Sequence, residues 1–383
     1  MIHLTGRIDS ENAAIIEEEI VRALAEQEGD KIIFDASELD YISSAGLRIL
    51  MRISKQTGKP MQITGVSLEI YDIFEMTGFT EIMEVKKRIR EVSVEGCPVI
   101  GEGFFGTVYR LDNDTIVKLY NSANSDSIRM IENERKMART AFIKGIPTAI
   151  SYDTVRCGDQ YGSVFEMLEA KTMNEILVAN LSRADELVRE YAEFVKLVHH
   201  TVMDSVTLPS AVNAFAGCLE IIRNNISDKC YDRIKALFEK MPEDHHVVHG
   251  DFHMKNIMLT KEGPMLIDMD TLNEGNPVFD LGSIYCVYRE FNRDNPEDSV
   301  EFFGIDDDMA RFVWEKFMEY YFASSDKAVL SAALDKIRIV SAIRFLFLLA
   351  TTDQGSEDEV NIMIRHTTAD LEDLVLRVDE LTL

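Results

Sequence analysis

The run GEGFFGTV at 101–108 leads into another strand rather than into a helix, and that separates two very different folds. Its glycines, Gly101, Gly103 and Gly106, let backbone N–H groups approach anionic oxygens without a Cβ in the way. A dinucleotide-binding loop of this composition opens directly into a helix. Here TVYRL and then TIVKLY follow as strands, with the turn DNDT (112–115) between them. The glycines therefore belong to a hairpin in an antiparallel sheet. Alone, such a hairpin is equally an ordinary β-turn, so its meaning depends on the rest of the chain.

The first ninety of the 383 residues follow a different pattern. IHLTGRI (2–8), KIIFDAS (31–37) and MQITGV (61–66) read as strands. Asp9 and Ser10 offer capping chemistry for a helix bearing Ile16, Ile20 and Leu24 on one face. A second helix follows the turn SSAG (43–46), with Leu47, Leu50, Met51 and Ser54 on one side, and a third covers 67–78, stopped by Gly78. Alternating strands and helices predict an α/β domain over 1–90. The pattern breaks at the charged stretch KKRIRE (86–91). Consecutive strands then fill 92–120, a helix is predicted at about 127–145 before Pro147, and two strands cover 150–168. From 182 onward the chain reads as helical, apart from a β-rich region at 247–268. This predicts an α+β bilobal unit, strand-rich over 91–170 and helix-rich over 171–383.

Several residues of the second unit carry chemistry. Lys118, on the third strand after the glycine run, is placed to reach phosphates. It needs an anionic partner, and Glu134 on the next helix is the first choice, with Glu132 as the alternative. In VVHGDFHMKNIML (247–259), Asp251 and Asn256 lie on a loop between apolar runs. Transfer to a hydroxyl needs a carboxylate at the attacking oxygen and an oxygen ligand for Mg²⁺ nearby. Asp268, at the end of the apolar strand in MLIDMD (265–270), is costly to bury unless a cation compensates it. His249 reads as an orienting residue; His245, His246 and His253 read as loop histidines.

Lys and Arg number 40 against 67 Asp and Glu, a formal charge of −27. Such a surface disfavours broad contact with nucleic acid or anionic lipid. The five cysteines, Cys97, Cys157, Cys218, Cys230 and Cys286, are scattered without metal-ligand spacing and are expected as buried free thiols. The start MIHLTGRIDSENA lacks signal-peptide character, and the apolar run IVSAIRFLFLLA (339–350) is short and interrupted by Arg344. A cytoplasmic protein is expected.

At the glycine loop, Lys118, Glu134, HGDFHMKN (249–256), IDMD (267–270) and GNPVFDLGSI (275–284), the chain resembles the aminoglycoside phosphotransferase and choline kinase-like family of the protein-kinase-like fold. The resemblance covers roughly 92–350. It implies an ATP-dependent enzyme in which Lys118 binds phosphates and pairs with Glu134, and Asp251 is the catalytic base. It also implies that Asn256 and Asp268 hold Mg²⁺, that Glu166, Met167 and Leu168 meet adenine through their backbone, and that Asp280 is structural. Asp280 follows Asp268 too soon for an activation segment, which favours a small-molecule hydroxyl acceptor over a protein. The arginine of the protein-kinase H-R-D is replaced by Gly250, and the family's G-D-P carries Asn276.

Residues 1–90 resemble the STAS domain of anti-sigma-factor antagonists, through FDASELDYISSAGLRIL (34–50). The resemblance makes Ser44 a phosphorylation candidate and the domain a docking or regulatory module for a protein partner. A plain helix N-cap at Ser43 or Ser44 stands equally open. So does a signalling protein whose kinase-like lobe binds nucleotide or phosphorylates a protein serine.

Overall fold

The computed structural model describes residues 1–26, 29–103, 106–121, 125–203, 208–352 and 356–383. The chain divides into two units, Met1–Ser93 with Thr154–Asp159, and Val94–Asp153 with Gln160–Leu383.

In the first unit β1 (Ile2–Ile8), β2 (Ile32–Ile42), β3 (Met61–Val66) and β4 (Glu84–Lys87) form a parallel sheet in that order. Parallel neighbours need crossovers. Three are α1 (Ala13–Glu26), α2 (Ser44–Thr57) and α3 (Leu68–Met76), the last followed by the short α4 (Phe79–Ile82). Phe34, Ile63 and Phe74 are fully buried between sheet and helices. Three sequence expectations change. β2 runs on to Ile42, and SSAG is not a free turn: Ser43 caps α2, and Ser44, Ala45 and Gly46 form its first turn. The charged stretch at 86–91 is not a break either. Residues up to Lys87 complete β4, and β5 (Arg90–Glu91) pairs with Val155–Arg156 of the same unit. β4 is an edge strand, where alternating exposed charges are tolerated.

In the second unit β6 (Val99–Gly103), β7 (Gly106–Arg110) and β8 (Thr115–Tyr120) are antiparallel neighbours. α5 (Ser125–Ile143) follows, then β9 (Ser151–Cys157), whose residues from Thr154 onward belong to the first unit, and β10 (Gln160–Glu166) pairs antiparallel with β8. Helices then dominate: α6 (Met173–Ala179), α7 (Ala184–His199), α8 (Ala211–Ile221) and α9 (Asp228–Glu239), and later α10 (Val278–Tyr285), α11 (Glu297–Phe303), α12 (Asp307–Phe322), α13 (Lys327–Thr351) and α14 (Glu357–Leu374). Between α9 and α10 lie the short strands β12 (Val247–Val248), β13 (Ile257–Thr260), β14 (Gly263–Leu266) and β15 (Asn273–Glu274), with β11 (Lys171–Thr172) pairing to β13. The helical core is continuous: Leu187, Tyr191, Val195 and Val198 of α7 share it with Phe279 of α10, Phe317 of α12 and Ile337 of α13. The expected order is therefore present, an α/β unit followed by a strand-rich and then helix-rich unit.

All five cysteines are free, but only Cys230 and Cys286 are buried; Cys97, Cys157 and Cys218 are half-exposed, against the expectation of five buried thiols. Among the described residues no helix is long and apolar enough to cross a membrane.

Candidate active site

β13 and β14 close as a tight hairpin, with Ile257 opposite Leu266 and Thr260 opposite Gly263. The N–H of Ile267 donates to the carbonyl of Asn256 at 3.0 Å, so the loops bearing Asp251 and Asp268 leave the same end of the hairpin. Register thus brings together residues that the sequence separates.

Asp280, fully buried in α10, anchors the Asp251 loop. One carboxylate oxygen accepts the N–H of Gly250 at 2.6 Å, and the other accepts the N–H of His249 at 2.7 Å and lies 2.9 Å from His199 Nε2. Gly250 has φ +85, and a Cβ there would fall 2.6 Å from the carbonyl oxygen of Thr271. This explains why no arginine stands at that position. His249 is buried, with Nε2 3.3 Å from the carbonyl of Ile267, and its pKa is lowered by burial.

The Asp251 carboxylate is partnered on both oxygens. Arg344 Nη2 donates to Oδ1 at 2.8 Å; Asn256 Nδ2 donates to Oδ2 at 3.2 Å, and His253 Nε2 lies 3.4 Å from it. Burial would raise the carboxyl's pKa, but His253 and then Arg344 outweigh it and hold it far below the usual range. Two residues here go beyond the sequence reading. His253 is on the loop, as expected, but is buried beside the carboxylate. Arg344 appeared in the sequence only as the interruption of an apolar run, and its partner 93 positions away left no local signal.

On the other side, Lys118 Nζ donates to Asp268 Oδ1 and lies 3.6 Å from Glu134 Oε1. Burial works to lower the pKa of the ammonium, and the charges of Glu134 and Asp268 override it and raise it. Glu134 is buried and Glu132 exposed, which settles the choice between them. Glu134 Oε2 also accepts the Tyr120 hydroxyl, a partner for which the sequence offered no local signal. Asp268 itself has φ +64, one of two non-glycine residues with positive φ among those described. Asp270 is pushed up to about 7, first by burial and then by the charges of Asp268 and Glu134.

The glycine run requires two adjustments. Gly106 is demanded by packing: a Cβ would lie 2.2 Å from the Leu119 carbonyl oxygen of β8. At Gly101 it would meet only Val108, at an ordinary 3.6 Å. Gly103 pairs with Gly106 at the end of the hairpin, whose tip, Phe104 and Phe105, lies outside the described residues. At the end of β10, the Met167 N–H donates to the Asp114 carbonyl at 2.7 Å, so it is not on offer to a ligand.

The geometry can be set beside known proteins. Residues 97–320 match the model of the phosphotransferase enzyme family. The chain belongs to that family. Residues 1–92 match the STAS domain model. A protein of Bordetella bronchiseptica named as an anti-sigma factor antagonist, BtrV, is 32% identical over 85 residues, 21% of this chain and 72% of its own. Among solved structures, an ADP-bound aminoglycoside phosphotransferase, APH(2'')-Ib, aligns at 14% identity over 81% of this chain and 99% of its own, with a TM-score of 0.47. A choline/ethanolamine kinase family protein from Mesorhizobium loti aligns at 16% identity over 74% and 89%, with a TM-score of 0.46. This member of the phosphotransferase enzyme family thus carries a STAS domain over residues 1–92.

Proposed function

We propose that the enzyme moves the γ-phosphoryl group of ATP to a hydroxyl of a small molecule, with Asp251 as the base. The observation that carries this reading is the convergence at one hairpin end of two ion-paired centres. One is Lys118 held between Glu134 and Asp268; the other is Asp251 held by Asn256 and Arg344. Lys118 is the group for the phosphates, fixed by Glu134. The backbones of Glu166 and Leu168 face adenine, and the Gly101–Gly103–Gly106 hairpin covers the phosphates. Asp251 accepts the proton of the acceptor hydroxyl as its oxygen attacks phosphorus. The short segment between Asp268 and Asp280 supports an acceptor of the aminoglycoside, choline-like or sugar-like size, because it leaves no room for a protein-docking activation segment.

The residues fit Mg²⁺. One cation, Lys118, faces the carboxylates of Glu134, Asp268 and Asp270, so the site is short of positive charge. Asp268 and Asn256 would hold the ion: the Asn256 amide nitrogen points at Asp251, which turns its oxygen the other way. Among the described residues no group of three or more His, Cys, Asp or Glu side chains could hold a metal by itself. Mg²⁺ commonly takes the rest of its shell from substrate phosphates and water. Bound there, it would neutralise charge on the transferring phosphoryl group. The STAS unit is proposed as a docking or regulatory module for a protein partner, with Ser44 as its modifiable residue.

The test is a screen of the purified chain with ATP and Mg²⁺ against aminoglycosides, choline-like amines, amino alcohols and sugars, read as acceptor-dependent ADP release. Asp251→Ala is expected to lower that release by a factor of about 100 or more. Release that survives the substitution would remove Asp251 as the base.

A further inference from the structure

Arg344 stands in the middle of α13 between Ile343 and Phe345, both buried. A guanidinium among such neighbours is unfavourable unless its charge and its N–H groups are matched. Nε has no hydrogen-bond partner among the described residues; the match comes at the two terminal nitrogens, from the loop that carries Asp251. Nη1 donates to the Gly250 carbonyl at 2.7 Å and Nη2 to Asp251 Oδ1 at 2.8 Å. One planar fork therefore grips a backbone oxygen and a side-chain oxygen of consecutive residues, which fixes both the loop and the rotation of the carboxylate. Partners on the other oxygen, His253 and Asn256, belong to the same loop as Asp251, so they move with it. The loop backbone is also held by Asp280 and Ser283 of α10, but the restraint on the carboxylate itself that comes from outside the loop is Arg344. It also lies beyond residues 97–320, the stretch matched by the family model.

We propose that Arg344 is the positioning residue of the catalytic carboxylate, setting the aim of Asp251 from α13. The proposal rests on the reading of Asp251 as the base. A mere staple between helix and loop would affect stability alone. A positioning residue affects turnover in folded protein, and a missing guanidinium can be replaced from solution.

The experiment compares the full-length wild type, Arg344→Ala and Arg344→Lys with MgATP and water as acceptor, so the natural acceptor need not be known. Arg344→Ala is expected to keep a melting transition and the wild-type KM for ATP while kcat falls about 100-fold. Free guanidinium ion at millimolar concentration should restore part of kcat saturably. Arg344→Lys, with one point charge in place of a fork, should fall between. Hydrogen exchange of the 249–256 amides should quicken in Arg344→Ala and slow again with guanidinium. Wild-type kcat in either variant overturns the proposal, as does a loss that guanidinium leaves untouched in folded protein. If Arg344→Ala does not fold, the lysine variant decides on the same criterion. A wild type that does not turn over MgATP counts against the phosphoryl-transfer reading itself; the exchange measurement then decides for Arg344, and unchanged exchange overturns its role.

Discussion

On β8, Tyr120 lies two residues beyond Lys118 and so on the same face of the strand, and its hydroxyl donates to the buried Oε2 of Glu134. The Lys118 ammonium lies 5.2 Å from the centre of the same ring. Tyr120 thus fixes the glutamate that fixes the lysine. Tyr120→Phe keeps the ring and removes one hydrogen bond to a charged group, an interaction of about 1.5–3 kcal/mol. If half or more of that falls on the aim of Lys118, KM for ATP should rise about fourfold or more while kcat changes less. Steady-state kinetics over ATP concentration measures this, and an unchanged KM would confine Tyr120 to a structural role. Lys118, Glu134, Asp251, Asn256 and Asp268 were legible in the sequence because each sits at short range from a glycine run or in a dense loop motif. Tyr120 and Arg344 were not. A strand tyrosine and a helix arginine have many ordinary uses, and their partners are chosen by tertiary packing.

At the first turn of α2 the two serines divide the work. Ser43 is the N-cap, with backbone φ −92 and ψ 174 and its hydroxyl accepting the Ala45 N–H at 3.2 Å. Ser44 is the first helical residue and is exposed. Ser43→Ala should therefore destabilise the N-terminal unit by about 1 kcal/mol. Ser44→Asp places a negative charge on the positive end of the helix and should be neutral or stabilising by about 0.3–1 kcal/mol. Urea unfolding of the full chain, followed on the first transition, separates the two. A Ser44→Asp variant as destabilised as Ser43→Ala would deny that the turn can accept a phosphate. At this scale, the elements with clean periodicity, β1, β3 and α1, were legible from apolar spacing. β4 was not, because an edge strand shows half its residues to water and its charges read as a charged stretch where the pattern changes. The hairpin of β13 and β14 was legible as β-rich, but its consequence was not: which two loops meet at one end follows from register.

At the scale of the whole molecule, a chain of formal charge −27 must admit a nucleotide polyanion. Long-range repulsion slows encounter, and salt screens it with a Debye length of about 10 Å at 0.1 M. Lys118, whose side chain is only 14% exposed, is shielded from that screening, so the local grip on phosphate should persist while the distant field fades. kcat/KM for ATP at saturating Mg²⁺ should accordingly rise as KCl increases from about 10 mM to about 150 mM, with kcat nearly constant. A fall would mean that basic groups at the mouth, rather than the overall charge, govern approach. The same field acts with opposite sign on a cationic acceptor: an aminoglycoside or choline-like amine is drawn in, so its kcat/KM should fall over the same salt range, whereas that of a neutral sugar should stay level. The two slopes, measured on one preparation, distinguish field from site, because a salt effect on folding or on Mg²⁺ binding would move both substrates in the same direction.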